Sequence, residues 1–435
     1  MTSSNTDRLL DKILEPIVEK DHLISQARLA FTDYLASYVM ALNEPVIREY
    51  GQAYHRDQSP VQPIQTDYQL TPEEAALFYG FAAHYLDIDD VHPHVQGHPS
   101  AVIFSALLAT VESHDRWDDF FESYVIGLEV EGLLGQVMNP HLKTTGWHAT
   151  SVLGVIAAAT AIGCFKQYPR QKLNRLLSIA ATESMGMAFQ FGSDIKPLHA
   201  GLAAKQAVFT HELVSRTQIS ANTDPFSKEG GWFAALLDKP VELDFNNWLA
   251  PGQILEPGLW FKRHPFCSAA MTGHDAAELI VQQGGKMADL EEVIIHFSPN
   301  QDRALRYSEI KTPMEGKFSI EYVVWQVLTY GKIQSHLFEG ETVPAAYHKD
   351  LQRIKRRYDL PAQPPTGRKV TITAQRKNGS QLTATVDIPK GAPQNPLSLQ
   401  DIIGKINNAH LEVWITNLYS QPLSTNGLVK SAIMR

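Results

Sequence analysis

Apolar positions recur at helical spacing through the first half of the chain. Leu9, Leu10, Ile13, Leu14 and Ile17, then Leu29, Phe31, Leu35, Tyr38 and Val39, mark helices between Asp7 and Ala41. Further helical stretches follow to about Leu255, separated by Gly, Pro and Asn clusters rather than by alternating strand patterns. One stretch, Ala75 to Leu86, is apolar or small almost throughout, which predicts a helix covered on every side. Ahead of it Thr71 suits the N-cap, Pro72 the first helical position, and Glu73 and Glu74 the positive end of the helix dipole. The pattern changes near Pro257. Leu290 to Pro299 reads as a strand after a helix, and residues 369–376 and 382–388 alternate with period two around Lys377-Asn378-Gly379-Ser380, a hairpin signature. A helix from Ser319 to Leu328 lies between them, with the stripe Ile320, Val323, Val324, Val327 and Leu328. Beyond Leu397 helical spacing returns. The expectation is a mainly α protein: an all-helical domain of residues 1–257 and 397–435, and a smaller α+β domain of residues 258–396.

Composition narrows the function classes. A chain of 435 residues exceeds one ordinary core and fits two domains. A net charge of −9, with no Lys/Arg run, argues against nucleic acid as a partner. Cys164 and Cys267 cannot make a disulfide framework, so a reducing cytoplasm fits. Residues 1–8 are polar and lack the apolar core of a signal peptide. The most apolar run, Val152 to Cys164, is too short to span a bilayer and reads as a core helix. No membrane partner is expected.

The polarity of the chain is concentrated just after the covered helix. His84-Tyr85-Leu86-Asp87-Ile88-Asp89-Asp90 and the loop through His92, His94 and His98 carry three aspartates and four histidines; Pro93 and Pro99 break the helix. Delivering such groups into an interior is costly unless they are paired or used, so this stretch predicts the floor of an active site. Three further segments share a geometry with His98-Pro99-Ser100. Gly146-Trp147-His148 precedes the helix Val152–Cys164, Lys196-Pro197-Leu198-His199 precedes a helix expected over 202–213, and Lys262-Arg263-His264-Pro265-Phe266-Cys267 precedes one around 273–282. Helix N-termini attract anions and disfavour a protonated imidazole. With Lys196 and Lys262 added, such ends would suit a substrate with more than one carboxylate. Plainer readings stand beside these. His84 reads as a satisfied core histidine, Trp147 as packing, the lysines as solvated, and Cys267 as a nucleophile with no identified base. His92, His94 and His98 would serve a metal-dependent hydrolase, although their spacing matches no standard ligand set. A helical scaffold without activity is disfavoured by the intact His and Lys set.

His84-Tyr-Leu-Asp-Ile-Asp-Asp with His98-Pro-Ser, Gly146-Trp-His-Ala-Thr, Lys196-Pro-Leu-His-Ala-Gly, Lys262-Arg-His-Pro-Phe-Cys and Lys317-Phe-Ser-Ile-Glu-Tyr resemble the MmgE/PrpD family, in its order and over nearly the whole chain. The resemblance implies a large all-helical domain built from both chain ends, a smaller α+β lid domain, homodimers, and no metal, iron–sulfur cluster or organic cofactor. It places active-site residues at Asp87, His98, His148, Lys196, Lys262 and Tyr322. The implied reaction is proton transfer beside a carboxylate. Lys196 and Lys262 would hold carboxylates, and His98 and His148 would form the proton-transfer pair in undecided order. Asp87 would orient an imidazole; Tyr322, opposite its helix's apolar stripe, would be a donor or acid. Dehydration of a 2-methylcitrate-like acid is the first expectation, ahead of decarboxylation of a cis-aconitate-like acid or an iminodisuccinate-type epimerisation. The chain departs from the family at Val91, where Thr is usual, in the length of the loop His92–Gly97, at Tyr79-Gly80 for Asn-Gly, and at Lys262-Arg-His-Pro for Lys-Pro-Tyr-Pro.

Overall fold

The computed structural model describes residues 4–18, 20–364, 367–406, 408–420 and 423. It is mainly α. The chain divides into two compact units: Met1–Gln190, Asp194–Trp260 and Ser398–Arg435 in the first, Phe191–Ser193 and Phe261–Leu397 in the second.

The first unit carries α1 (Asn5–Leu14), α2 (Lys20–Ala41), α3 (Pro45–Tyr54), α4 (Pro72–Tyr85), α5 (Pro99–Ala109) and α6 (Trp117–Met138). There follow α7 (His141–Thr145), α8 (Ala149–Phe165), α9 (Arg170–Thr182), α10 (Ile195–Arg216) and α11 (Trp232–Leu237). The N-terminus of α4 forms as its residues dictate. Thr71 accepts from the Glu74 N–H while the Glu74 side chain returns to the Thr71 N–H, a reciprocal cap with Pro72 at the first position. Its residues are buried from Glu74 to His84, as the unbroken apolar run requires. Every residue of α5 is buried, and Phe104 stacks on Tyr124 of α6 at 3.9 Å within an aromatic core that includes Phe31, Tyr34 and Phe120.

Helix α10 lies along α4, and the two backbones meet at Gly80 and Gly201. A Cβ on Gly80 would come within 2.7 Å of the Gly201 Cα, and one on Gly201 would strike the Leu77 carbonyl oxygen. Only glycine permits that approach. It brings the end of α4 beside the start of α10. That start differs from expectation: α10 begins at Ile195 rather than Leu202, so Lys196 and Pro197 lie inside its first turn, where proline's missing N–H breaks no helical bond.

The second unit is built on a four-stranded sheet in the order β2-β1-β3-β4. Strand β1 (Leu290–His296) pairs antiparallel with β3 (Val370–Arg376), which continues antiparallel to β4 (Gln381–Val386) across the expected hairpin. Strand β2 (Ile354–Arg357) pairs parallel to β1. The sequence did not predict β2, because Ile-Lys-Arg-Arg has no apolar alternation. Its Arg356 is instead held by Glu321 at 2.6 Å and Asp302 at 2.9 Å. The unit's helices are α12 (Met271–Gln282), α13 (Pro313–Gly316), α14 (Ile320–Tyr330) and α15 (Ala345–Asp350). The chain then returns to the first unit with α16 (Leu399–Ile403) and α17 (Ala409–Asn417). Among the described residues no helix is long and apolar enough to cross a membrane.

Candidate active site

The loop between α4 and α5 is held open by its backbone. Asp87 sits at φ 56°, a left-handed conformation that aspartate tolerates better than most residues and that is often found at functional sites. Val91 bridges to Trp260, and the His92 N–H donates to the Gly97 carbonyl at 3.0 Å. The loop closes onto α8 at Gly97, where a Cβ would come within 2.7 Å of the Thr150 hydroxyl. That hydroxyl accepts from the His98 N–H at 3.1 Å. His98 is the N-cap residue of α5 and His148 that of α8, so two of the four expected helix-start placements hold. The other two do not. Lys196 lies within α10, and Lys262 lies well ahead of α12, with a 3₁₀ turn at Ser268–Ala270 between them.

At the centre of the first unit's cluster is the Lys196 ammonium. It donates to Asp87 Oδ1 at 3.1 Å and lies 2.9 Å from His84 Nε2. An ammonium has only donors, so His84 Nε2 must accept and its Nδ1 must carry the hydrogen. That hydrogen points at Asp89, whose two oxygens both lie 3.0 Å from Nδ1. His98 stands between the carboxylates, with Nδ1 3.1 Å from Asp89 Oδ2 and Nε2 3.5 Å from Asp87 Oδ1. Its ring centroid is 4.1 Å from that of His84. His148 stacks 6.2 Å from His84 and places Nδ1 3.1 Å from Nδ1 of His199.

All these side chains are buried, and burial sets their charge. It pushes His84 down to about 3, with the Lys196 charge helping and Asp89 opposing. Burial, then Lys196 and the neighbouring imidazoles, hold His148 well below the ordinary histidine range. Burial and Lys196 lower His199 as well. Burial alone would raise Asp89, but the imidazoles of His84 and His98 prevail and keep it well below the carboxylate range. Asp90 goes the other way. Burial and the nearby Asp33 raise it well above that range, and it accepts from the Ser100 hydroxyl behind the site.

The structure therefore brings Asp87, His98, His148 and Lys196 together. It adds three residues whose part the sequence did not reveal. His84 is buried and satisfied as expected of a core histidine, yet it belongs to the cluster. Asp89, rather than Asp87, makes the shorter contact to an imidazole of the expected pair, while Asp87 chiefly holds Lys196. His199 follows Lys196 by three positions, a spacing that shares a helix face and would have been informative had α10 been expected to start at Ile195. Lys262 and Tyr322 lie in the second unit. Lys262 is buried, with Nζ 3.5 Å from the Phe266 carbonyl. Tyr322 does not stand on a polar face. Every residue of α14 from Ile320 to Leu328 is buried, the Tyr322 ring packs among Trp325, Phe338 and Tyr347, and its hydroxyl donates to the Leu337 carbonyl at 2.9 Å.

The expected alternative metal set is not assembled. His92 and His94 turn to Gln253, at 3.0 Å from its carbonyl and 2.8 Å from its side-chain oxygen, whereas His98 turns to the aspartates. His84, Asp87, Asp89 and His98 do offer ligand atoms within 4.8 Å of one another. Lys196 already presents a cationic group to two of those four, so the cluster supplies its own cation.

A family model described as the MmgE/PrpD N-terminal domain matches residues 14–244, and one described as the MmgE/PrpD C-terminal domain matches residues 264–414. The chain is similar to the cis-aconitate decarboxylase of Homo sapiens, 24% identical over 420 residues that cover 91% of this chain and 85% of the relative. The cis-aconitate decarboxylase of Mus musculus is 23% identical over 379 residues, covering 82% of this chain and 76% of the relative. That of Aspergillus terreus is 24% identical over 196 residues, 43% of this chain and 40% of the relative.

Proposed function

Because the chain belongs to the MmgE/PrpD family, we propose that it is a lyase acting on a small di- or tricarboxylic acid, without a metal or organic cofactor. The observation that carries the reading is the buried Lys196 ammonium flanked by Asp87 and His84, with His98 and His148 beside it. Such a group sets a cation and several imidazoles within reach of one another, which suits proton transfer beside a bound carboxylate. Loss of carbon dioxide from a cis-aconitate-like acid now stands ahead of the dehydration expected from the sequence, because the matched relatives of Homo sapiens and Mus musculus are decarboxylases of that acid.

Both reactions pass through negative charge on a carbon beside a carboxylate. Decarboxylation leaves an electron pair there, which spreads onto the neighbouring carboxylate until a proton reaches the carbon. Lys196 holds a carboxylate and stabilises the charge as it develops. His98, with nitrogens 3.1 Å from an Asp89 oxygen and 3.5 Å from an Asp87 oxygen, is assigned proton delivery. His148, held neutral, is assigned proton uptake. Dehydration would use both: His148 takes the α-proton and His98 protonates the departing hydroxyl. Two separately placed imidazoles, His98 and His148, are what keep this second reading. The active form is proposed to be a homodimer.

The test is incubation in D₂O with cis-aconitate, 2-methylcitrate, citrate and an iminodicarboxylate, followed by mass spectrometry. Carbon dioxide loss from cis-aconitate, with one deuterium in the product, supports the decarboxylase. Water loss from 2-methylcitrate supports the dehydratase, and label with inverted configuration alone an epimerase. Neither product nor exchange from folded protein overturns the proposal.

A further inference from the structure

Resting on the assignment of His148 as a proton-transfer group, we propose that His199 is its positioning residue, a neutral acceptor that holds His148 in the Nδ1–H form and keeps its Nε2 basic. The two Nδ1 atoms are 3.1 Å apart and both side chains are buried. A hydrogen bond between two ring nitrogens needs one hydrogen and one lone pair, so the tautomers of the pair are linked. When His148 takes up a proton, both of its nitrogens become donors. Its Nδ1–H can then be received only if His199 Nδ1 carries the lone pair, which puts the hydrogen of His199 on Nε2. The same arrangement serves the resting state, with His148 donating from Nδ1 and its lone pair on Nε2.

The acceptor's lack of charge matters as much as its position. A carboxylate in this place would stabilise the imidazolium of His148 and draw it toward the protonated form. An imidazole orients the ring without doing so. Other groups bearing on His148 include Lys196 on α10, His84 on α4 and His98 at the start of α5. Lys196 is cationic and the others are imidazoles, while Asp87 and Asp89 meet Lys196, His84 and His98. Gly186 keeps the pair close. Its carbonyl accepts from the His148 N–H at 3.0 Å, and a Cβ there would come within 2.9 Å of Ser151 and 3.5 Å of the His199 ring.

Three variants separate positioning from mere packing: His199→Ala, His199→Asn and His199→Asp. His199→Ala should lower kcat about tenfold or more with KM little changed, and His199→Asn, which restores a neutral acceptor, should recover part of that loss. His199→Asp should move the acidic limb of the kcat/KM profile to higher pH by about 1–3 units. The same shift should appear in the titration of the His148 ring followed by NMR of ¹³C-labelled histidine, assigned with His148→Gln. That readout needs no turnover, so it tests His199 even if the wild type transforms none of the acids. An unchanged His148 titration in His199→Asp overturns the proposal. If that variant does not fold, a His199→Asn no more active than His199→Ala does so.

Discussion

A histidine removed from water loses the hydration that stabilises its cation, so the buried imidazoles of this site start out neutral unless a carboxylate intervenes. His148 lies among cationic and neutral groups and is held well below the ordinary histidine range, whereas His98 lies between Asp87 and Asp89. General acids and bases typically contribute about 10²–10⁴-fold. His98→Ala and His148→Ala should each lose activity on that scale in a confirmed assay while keeping the wild-type circular dichroism; near wild-type turnover in either removes its assigned role. His84 yields a prediction about stability. The unfolded chain takes up a proton near the ordinary histidine value of 6.5, whereas folded His84 resists it down to about 3. Between those values the unfolded state binds more protons, so its contribution is complete above about 6.5 and is lost as the pH falls toward 3. Urea titrations from pH 7.5 to 4 should show this loss, and His84→Gln should flatten it. Parallel curves for the two proteins would assign the acid sensitivity elsewhere.

At the scale of the elements, the site depends on how closely α4 and α10 approach. Gly80 and Gly201 allow near contact of the two backbones, and the Lys196 ammonium meets Asp87 and His84 because of it. Gly201→Ala must push the helices apart at the Leu77 carbonyl. Overpacking of this kind costs about 1–3 kcal/mol, to be read as a lower urea midpoint, and the displaced Lys196 should reduce turnover in the protein that remains folded. Full activity with unchanged stability would show that the crossing tolerates a methyl group. The same elements show where pattern reading stops. The cap of α4 at Thr71 and the hairpin around Asn378-Gly379 are local, written in adjacent residues, and were legible. The early start of α10 was not, because Pro197 reads as a break when its position in the first turn is unknown. Strand β2 was invisible because pairing with β1 and the Arg356 ion pairs, not apolar alternation, hold it.

At the scale of the molecule, the C-terminal segment reaches back to support the site. Lys405, just after α16, sends a buried side chain to pair with Asp33 of α2 and donates to the Ile88 carbonyl at 3.3 Å, between Asp87 and Asp89. Removing one partner of a buried ion pair leaves an uncompensated charge and costs about 3–5 kcal/mol. Lys405→Met should therefore lower the urea midpoint strongly, and adding Asp33→Asn should recover part of the loss. A Lys405→Met protein as stable as the wild type would mean the ion pair contributes little. What the sequence by itself determined is the mainly α class, the segments that carry the chemistry, and, through motifs that resemble a family, the set Asp87, His98, His148 and Lys196 that the first unit brings together. These are local or cumulative signals, legible without knowing what touches what. Only the tertiary structure decided that His84 and His199 join the cluster, that Asp89 serves His98 while Asp87 holds Lys196, and that Tyr322 lies in a core with its hydroxyl engaged. Those are matters of which side chains meet across distant segments, and of the burial that sets their charge, and residue spacing encodes neither.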